Sequence, residues 1–268
     1  AFLSYSEFTT QLLKDLDEAE TCLKDDPVRS KSIEALNKDA ASEDNFFTAR
    51  QLRMNYYAVC ALKARAYLWM GNKEKALAYA KLVIDAKTPE GNAMFLSKTL
   101  GTGRTYQKPK AELTARLYEA GTSDIRFVNL WEEVNISYYN RPFYFQKYTQ
   151  TEKMPTLAKN VIPLIRLSEM YLIAIESSPL ADANAYYATF CTARDVTPTT
   201  MANDSERIDL LVKEYNKEFY GEGQAFYAYK RRGCICKLNH QNNEKNIICR
   251  LAVCPLYNGM QGRREVAL

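Results

Sequence analysis

Three groups of residues have types and spacings that could carry chemistry. Asp124, Glu218 and Glu222 would suit glycoside hydrolysis if two of them faced each other across a cleft at a set separation. Nothing in the sequence positions them so: Glu218 and Glu222 stand four apart beside the break Gly221-Glu222-Gly223, and a capping or salt-bridging role is expected. Cys234, Cys236, Cys249 and Cys254 form a C-x-C and a C-x4-C pair with 12 residues between. They lack the C-x2-C knuckle of structural zinc, so no metal site is expected, and paired and unpaired thiols are both compatible with the spacing. The third group is Trp131, Tyr138, Tyr139, Asn140 and Arg141. Sugar rings present apolar C–H faces that stack on Trp and Tyr, while Asn and Arg hydrogen-bond the hydroxyls, so these five are the candidate ligand-binding residues.

Composition narrows the chemistry further. The 268 residues include one histidine, His240, which excludes multi-histidine metal sites and leaves a single imidazole for any Ser/His or Cys/His nucleophile. Neither catalysis nor a cofactor is expected. With 36 Lys+Arg against 32 Asp+Glu, interspersed along the chain, no basic stripe marks a nucleic-acid groove. The 19 Tyr outnumber the 11 Phe, and the tyrosine ring, with its apolar face and polar tip, suits a binding surface. Seven Cys cannot all pair within one chain, and Cys22, Cys60 and Cys191 fall on apolar helix faces, where a core role is expected. No uncharged apolar run approaches the ~18 residues of a membrane span.

Helices must position these groups. Ser4-Tyr5-Ser6-Glu7 is a capping box, and the helix it opens is predicted to reach about Leu23 with Phe8, Leu12, Leu16, Ala19 and Leu23 on one face. Residues 24–41 read as a polar loop with one short turn near 33–37. A long helix is predicted from an N-cap at Thr48 to Met70, stopped by Gly71-Asn72, and a second follows with Ala76, Leu77, Ala80, Val83 and Ile84 on its stripe. The small residues Ala64, Gly71 and Ala76 place this pair close to the tetratricopeptide pattern. A later pair opens at Pro163 with Leu164, Leu167, Tyr171, Leu172 and Ile175 inward, breaks at Ser177-Ser178-Pro179, and returns through Ala185, Tyr186, Thr189, Phe190 and Ala193. A third begins near Asp204 with Ile208, Leu211, Tyr215 and Phe219 inward and resumes over 224–232. Between the first two pairs the helical period is lost, and residues 143–148 read as a strand. The fold class expected is mainly α, with tetratricopeptide-like hairpins and a long irregular aromatic-rich insertion, where function tends to reside.

Several stretches resemble the SusD/RagB family of outer-membrane nutrient-binding lipoproteins. Arg53-Met54-Asn55-Tyr56-Tyr57-Ala58-Val59 with Ala64-Arg65-Ala66-Tyr67-Leu68 is similar to its first paired helix. Ile162-Pro163-Leu164-Ile165-Arg166-Leu167-Ser168-Glu169-Met170-Tyr171-Leu172 resembles its "P-x-I/L-R-L-S/A-E-M-Y-L" helix, Glu218-Phe219-Tyr220-Gly221-Glu222-Gly223-Gln224-Ala225-Phe226 its "E-F-x-G-E-G" element, and Asp124-Ile125-Arg126 its "D-x-R" step. The resemblance implies one SusD/RagB-like domain over 1–268: first helices and hairpin over 1–88, insertion over 89–162, second helices over 163–233, and a cysteine-containing tail over 234–268. It corresponds to the C-terminal portion of the family pattern, without the lipobox cysteine and N-terminal lobe. It implies a non-catalytic cell-surface protein that binds an oligosaccharide or other nutrient and delivers it to a TonB-dependent, SusC-like outer-membrane transporter. Membrane contact would run only through a lipid anchor outside this chain. The alternative is a tetratricopeptide-like scaffold that grips a protein partner and binds no glycan.

Overall fold

The structure is a computed structural model that describes residues 3–42, 49–95, 117–118, 123–134, 136–137, 143–145, 163–231, 236–238 and 247–249. They belong to two compact units, Ala1–Ala202 and Asn203–Leu268.

The first unit opens with α1, Tyr5–Cys22. The capping box forms as expected: Glu7 N–H donates to Ser4 Oγ at 3.3 Å and Ser4 N–H to the Glu7 carboxylate at 2.8 Å. Leu16 is buried, but Phe8 and Cys22 are exposed, which corrects their core assignment. The stretch read as a loop holds a 3-10 turn at Pro27–Arg29 and then α2, Ile33–Ser42. The sequence reading passed over its cap, Ser32, whose hydroxyl accepts the Ala35 N–H at 3.1 Å.

Helix α3 spans Tyr56–Trp69 and starts later than predicted. Ala49 takes a left-handed φ of 51°, and a 3-10 turn fills Arg50–Leu52. Arg50 reaches back to buried Asp26, Arg53 is extended, and Asn55 is the cap of α3, accepting the Ala58 N–H at 2.9 Å. The predicted cap, Thr48, lies outside the described residues. Gly71, at φ 77°, turns the chain into α4, Lys73–Ile84. Ala64, Ala76 and Ala80 are fully buried between the two helices, so small side chains let the backbones approach as in a tetratricopeptide pair.

Two further helices complete the packing, α6 (Leu167–Ser177) on α4 and α7 (Leu180–Thr192) on α6. Helix α6 begins after Arg166, leaving Pro163 outside it and Leu164 76% exposed, against the expectation that both belong to the helix. The bend at Ser178-Pro179 falls where the sequence placed it. Four helices, α1, α3, α4 and α6, meet at two ion clusters. Arg65 of α3 makes a two-pronged pair with Glu169 of α6, Nε at 2.7 Å and Nη2 at 2.6 Å. Lys63, also on α3, is buried, donates to Glu20 and to Asp17 of α1, and donates to the Tyr79 hydroxyl of α4 at 3.1 Å. Burial alone would lower the Lys63 pKa, but hydrogen bonds to Asp17, Glu20 and Tyr79 outweigh it and hold the ammonium above the ordinary lysine value.

Cys60, fully inaccessible in the core beneath Tyr56, has its thiol pushed up to about 11 by burial. A raised thiol value means the thiolate is tolerated better in the unfolded chain. Stability from this group is therefore complete below about pH 9, the free thiol's value, and lost as pH rises through 11. Urea unfolding at pH 8 and pH 11 should differ by about 2 kcal/mol more in the native chain than in Cys60→Ala. Identical pH slopes would show that Cys60 does not contribute.

The second unit holds α8, Asp204–Glu218, capped by Asn203, and α9, Gln224–Arg231. Leu211, Tyr215 and Phe219 are buried, whereas Ile208, expected inward, is 43% exposed. Gly221 and Gly223 take φ of 76° and 74° at the break between the helices. The tail, read as irregular, contains an antiparallel pair, β3 (Cys236–Leu238) with β4 (Ile247–Cys249), in which Cys236 stands opposite Cys249. Cys234, Cys254 and His240 lie outside the described residues.

Candidate functional site

The candidate residues sit on an element built around α5, Ile125–Leu130. Asp124 caps it by accepting the Arg126 N–H at 3.0 Å, and its carboxylate also takes the Arg126 guanidinium at 2.9 Å (Nε) and 2.7 Å (Nη2). The "D-x-R" step is thus a self-contained helix start with both charged groups buried. The carboxylate of Asp124 caps α5 and pairs with Arg126.

Helix α5 runs directly into β1, Trp131–Glu133, which pairs antiparallel with β2, Phe143–Phe145. Trp131 lies opposite Phe145, with ring centroids 4.9 Å apart, and its indole N–H donates to the Tyr118 hydroxyl at 3.3 Å. Tyr118 and Phe143 in turn pack on Phe127 at 5.4 and 5.5 Å. Trp131 is 5% exposed. That setting corrects its assignment as an open stacking face: the ring fills the foot of the hairpin, and its one polar group has a buried partner. Phe145, within the stretch 143–148 read as a strand, is 2% exposed and packs there.

The other four candidates, Tyr138, Tyr139, Asn140 and Arg141, lie outside the described residues. In sequence they belong to the segment 134–142 between β1 and β2; the Glu133–Phe143 pair is the one next to that segment, and Trp131–Phe145 lies at the far end of the two strands. Sequence reasoning passed over Tyr118 and Phe127, which complete this aromatic foot; their spacing carries no strand or helix period. An apolar groove of about 260 Å³ lies between α1 and α3 and is lined by Tyr5, Phe8, Leu12, Leu62, Trp69 and Met70. Among the described residues no group of three or more His, Cys, Asp or Glu could hold a metal ion. No helix among them is long and apolar enough to cross a membrane.

Neither a protein-family model nor a curated protein matches the chain. Solved structures do. A SusD superfamily protein from Bacteroides thetaiotaomicron superposes with a TM-score of 0.51 at 23% identity, over 70% of this chain and 52% of its own. A laminarin-binding SusD-like protein gives 0.52 at 18% identity, over 86% of this chain and 64% of its own. A SusD-like carbohydrate-binding protein from Bacteroides vulgatus gives 0.56 at 18% identity, over 87% and 52%. The fold of this chain is the SusD-like helical fold with tetratricopeptide-like hairpins. It spans between half and two-thirds of the length of these structures.

Proposed function

We propose that this chain is a member of the SusD/RagB family that binds an oligosaccharide without altering it. Its ligand residues are Tyr138, Tyr139, Asn140 and Arg141, with Trp131 holding the hairpin that presents them. Tyrosine rings stack on the C–H face of a sugar, while the Asn140 amide and Arg141 guanidinium bond its hydroxyls. The observation that carries the reading is the aromatic-footed hairpin on a SusD-like fold, whose structural neighbours include proteins described as laminarin-binding and carbohydrate-binding. The protein works at the outer-membrane surface, held by a lipid anchor, and hands its ligand to a TonB-dependent transporter.

Calorimetric titration with oligosaccharides of laminarin, starch, xylan and mannan tests the binding step. One glycan class is expected to saturate the protein, and the double variant Tyr138→Ala/Arg141→Ala should weaken that binding by at least about 2 kcal/mol, roughly thirtyfold in Kd. A folded protein that binds none of the four, yet copurifies with a second protein through the groove between α1 and α3, would favour the scaffold reading instead.

A further inference from the structure

Among the described residues, a buried joint ties α5, within the insertion, to the helical scaffold. Past the end of helix α7, Asp195 takes a left-handed φ of 54° and the Val196 N–H donates back to the Cys191 carbonyl at 3.1 Å, closing the helix end. In the turn just past the helix, the Arg194 carbonyl accepts the N–H of Ile125 at 3.0 Å, so it satisfies an N–H left over at the start of α5. Side chains reinforce the joint. The Phe190 ring of α7, 1% exposed, has the Arg194 guanidinium over it at 3.7 Å and that of Arg126 at 5.7 Å. Arg126 is fixed by Asp124, and all four side chains are buried. From α5 the contact passes through Phe127 to Phe143 and through Trp131 to Phe145.

We propose that Asp124, Arg126, Phe190 and Arg194 are positioning residues: a strut that ties the β1–β2 hairpin to the end of α7 and, through the hairpin, governs affinity for the glycan. This rests on the assignment of segment 134–142 to the ligand. The strut does not touch the sugar. It governs affinity by keeping the hairpin ordered before the ligand arrives, so that ordering is not charged against binding. Arginine is required at 126 because only a planar fork meets both carboxylate oxygens of Asp124 while lying against a ring.

Hydrogen exchange and calorimetry on the whole chain test this together, using Phe190→Leu and Arg126→Met. Amides of 131–133 and 143–145 should exchange about tenfold faster in both variants, while those of α3 and α4 keep their rates. Affinity for the glycan selected from the laminarin, starch, xylan and mannan panel should fall about tenfold. Leu172→Val, a buried change in α6, should leave both readouts unchanged. If Arg126→Met does not fold, Asp124→Asn, which keeps the helix cap and removes the charge, is read in its place. Unchanged hairpin exchange would overturn the strut, and faster exchange with unaltered affinity would overturn its role in binding. Failure of the unaltered chain to bind any of the four glycans would sink the ligand assignment instead, and the exchange rates alone would then decide the strut.

Discussion

Replacing Asp26 by alanine is expected to destabilise the protein by about 3–5 kcal/mol, measured as a loss of urea-unfolding free energy. The Asp26 side chain is completely inaccessible and that of Arg50 is 6% exposed. Their Nη2–Oδ2 contact is 2.6 Å, and Arg50 also donates to the Met54 carbonyl at 2.9 Å. Two long-range partners of one chain reversal are thereby locked: Asp26 caps the 3-10 turn after α1 by accepting the Val28 N–H at 3.0 Å, and Arg50 stands at the turn before α3. Alanine removes the cap and leaves a desolvated guanidinium without its carboxylate, which is the expensive way to break a buried pair. Asp26→Asn keeps an acceptor for Val28 and should lose less. A loss below about 1 kcal/mol for alanine would mean that water reaches Arg50 in the folded protein.

Trp131→Ala is expected to be nearly as large, about 3–5 kcal/mol for a buried aromatic, and to act on binding as well as on stability. The hairpin loses its contact with Phe145 and the hydrogen bond to Tyr118, so the pairing of β1 with β2 weakens. Trp131→Phe separates the two roles the residue could play. Phenylalanine fills most of the space and forfeits one hydrogen bond, about 1 kcal/mol, and a protein in which Trp131 is only the foot should bind glycan almost as well with Phe there. If Trp131→Phe abolishes binding while thermal unfolding is unchanged, the indole itself touches the ligand and its buried placement is wrong for the bound state.

Much of the scaffold was legible because its signals are local. The Ser4-Glu7 capping box, the left-handed Gly71 and the Ser178-Pro179 break each act over a few residues, and each stands where spacing predicted. Helix α2 was missed because its local cap, Ser32, was passed over, but other failures share one cause, tertiary contact overriding local preference. Thr48 looked like a cap, yet Arg50 pairs with distant Asp26 and α3 starts after Asn55. Leu164 and Ile208 fit helical stripes but face outward, since a periodic pattern cannot say what lies across from it. The family-like charges Arg65, Glu169, Asp124 and Arg126 were quoted as motif letters; in space they join in pairs, Arg65 with Glu169 across 104 positions of sequence and Asp124 with Arg126 within one turn.

The ligand site was legible as a composition and not as a geometry. Trp131 and Tyr138 look alike in sequence, because an aromatic ring serves equally well as core or as platform. Pairing of β1 with β2 is what separates them, by turning Trp131 toward Phe145 and leaving 138–141 in the joining segment.

The most direct test of glycan capture is a crystal structure of the chain with an oligosaccharide bound at saturating concentration. Sugar rings stacked on Tyr138 or Tyr139, with Arg141 on their hydroxyls and Trp131 still packed beneath on Phe145, is the predicted result. Sugar bound elsewhere, with residues 138–141 untouched, would contradict it.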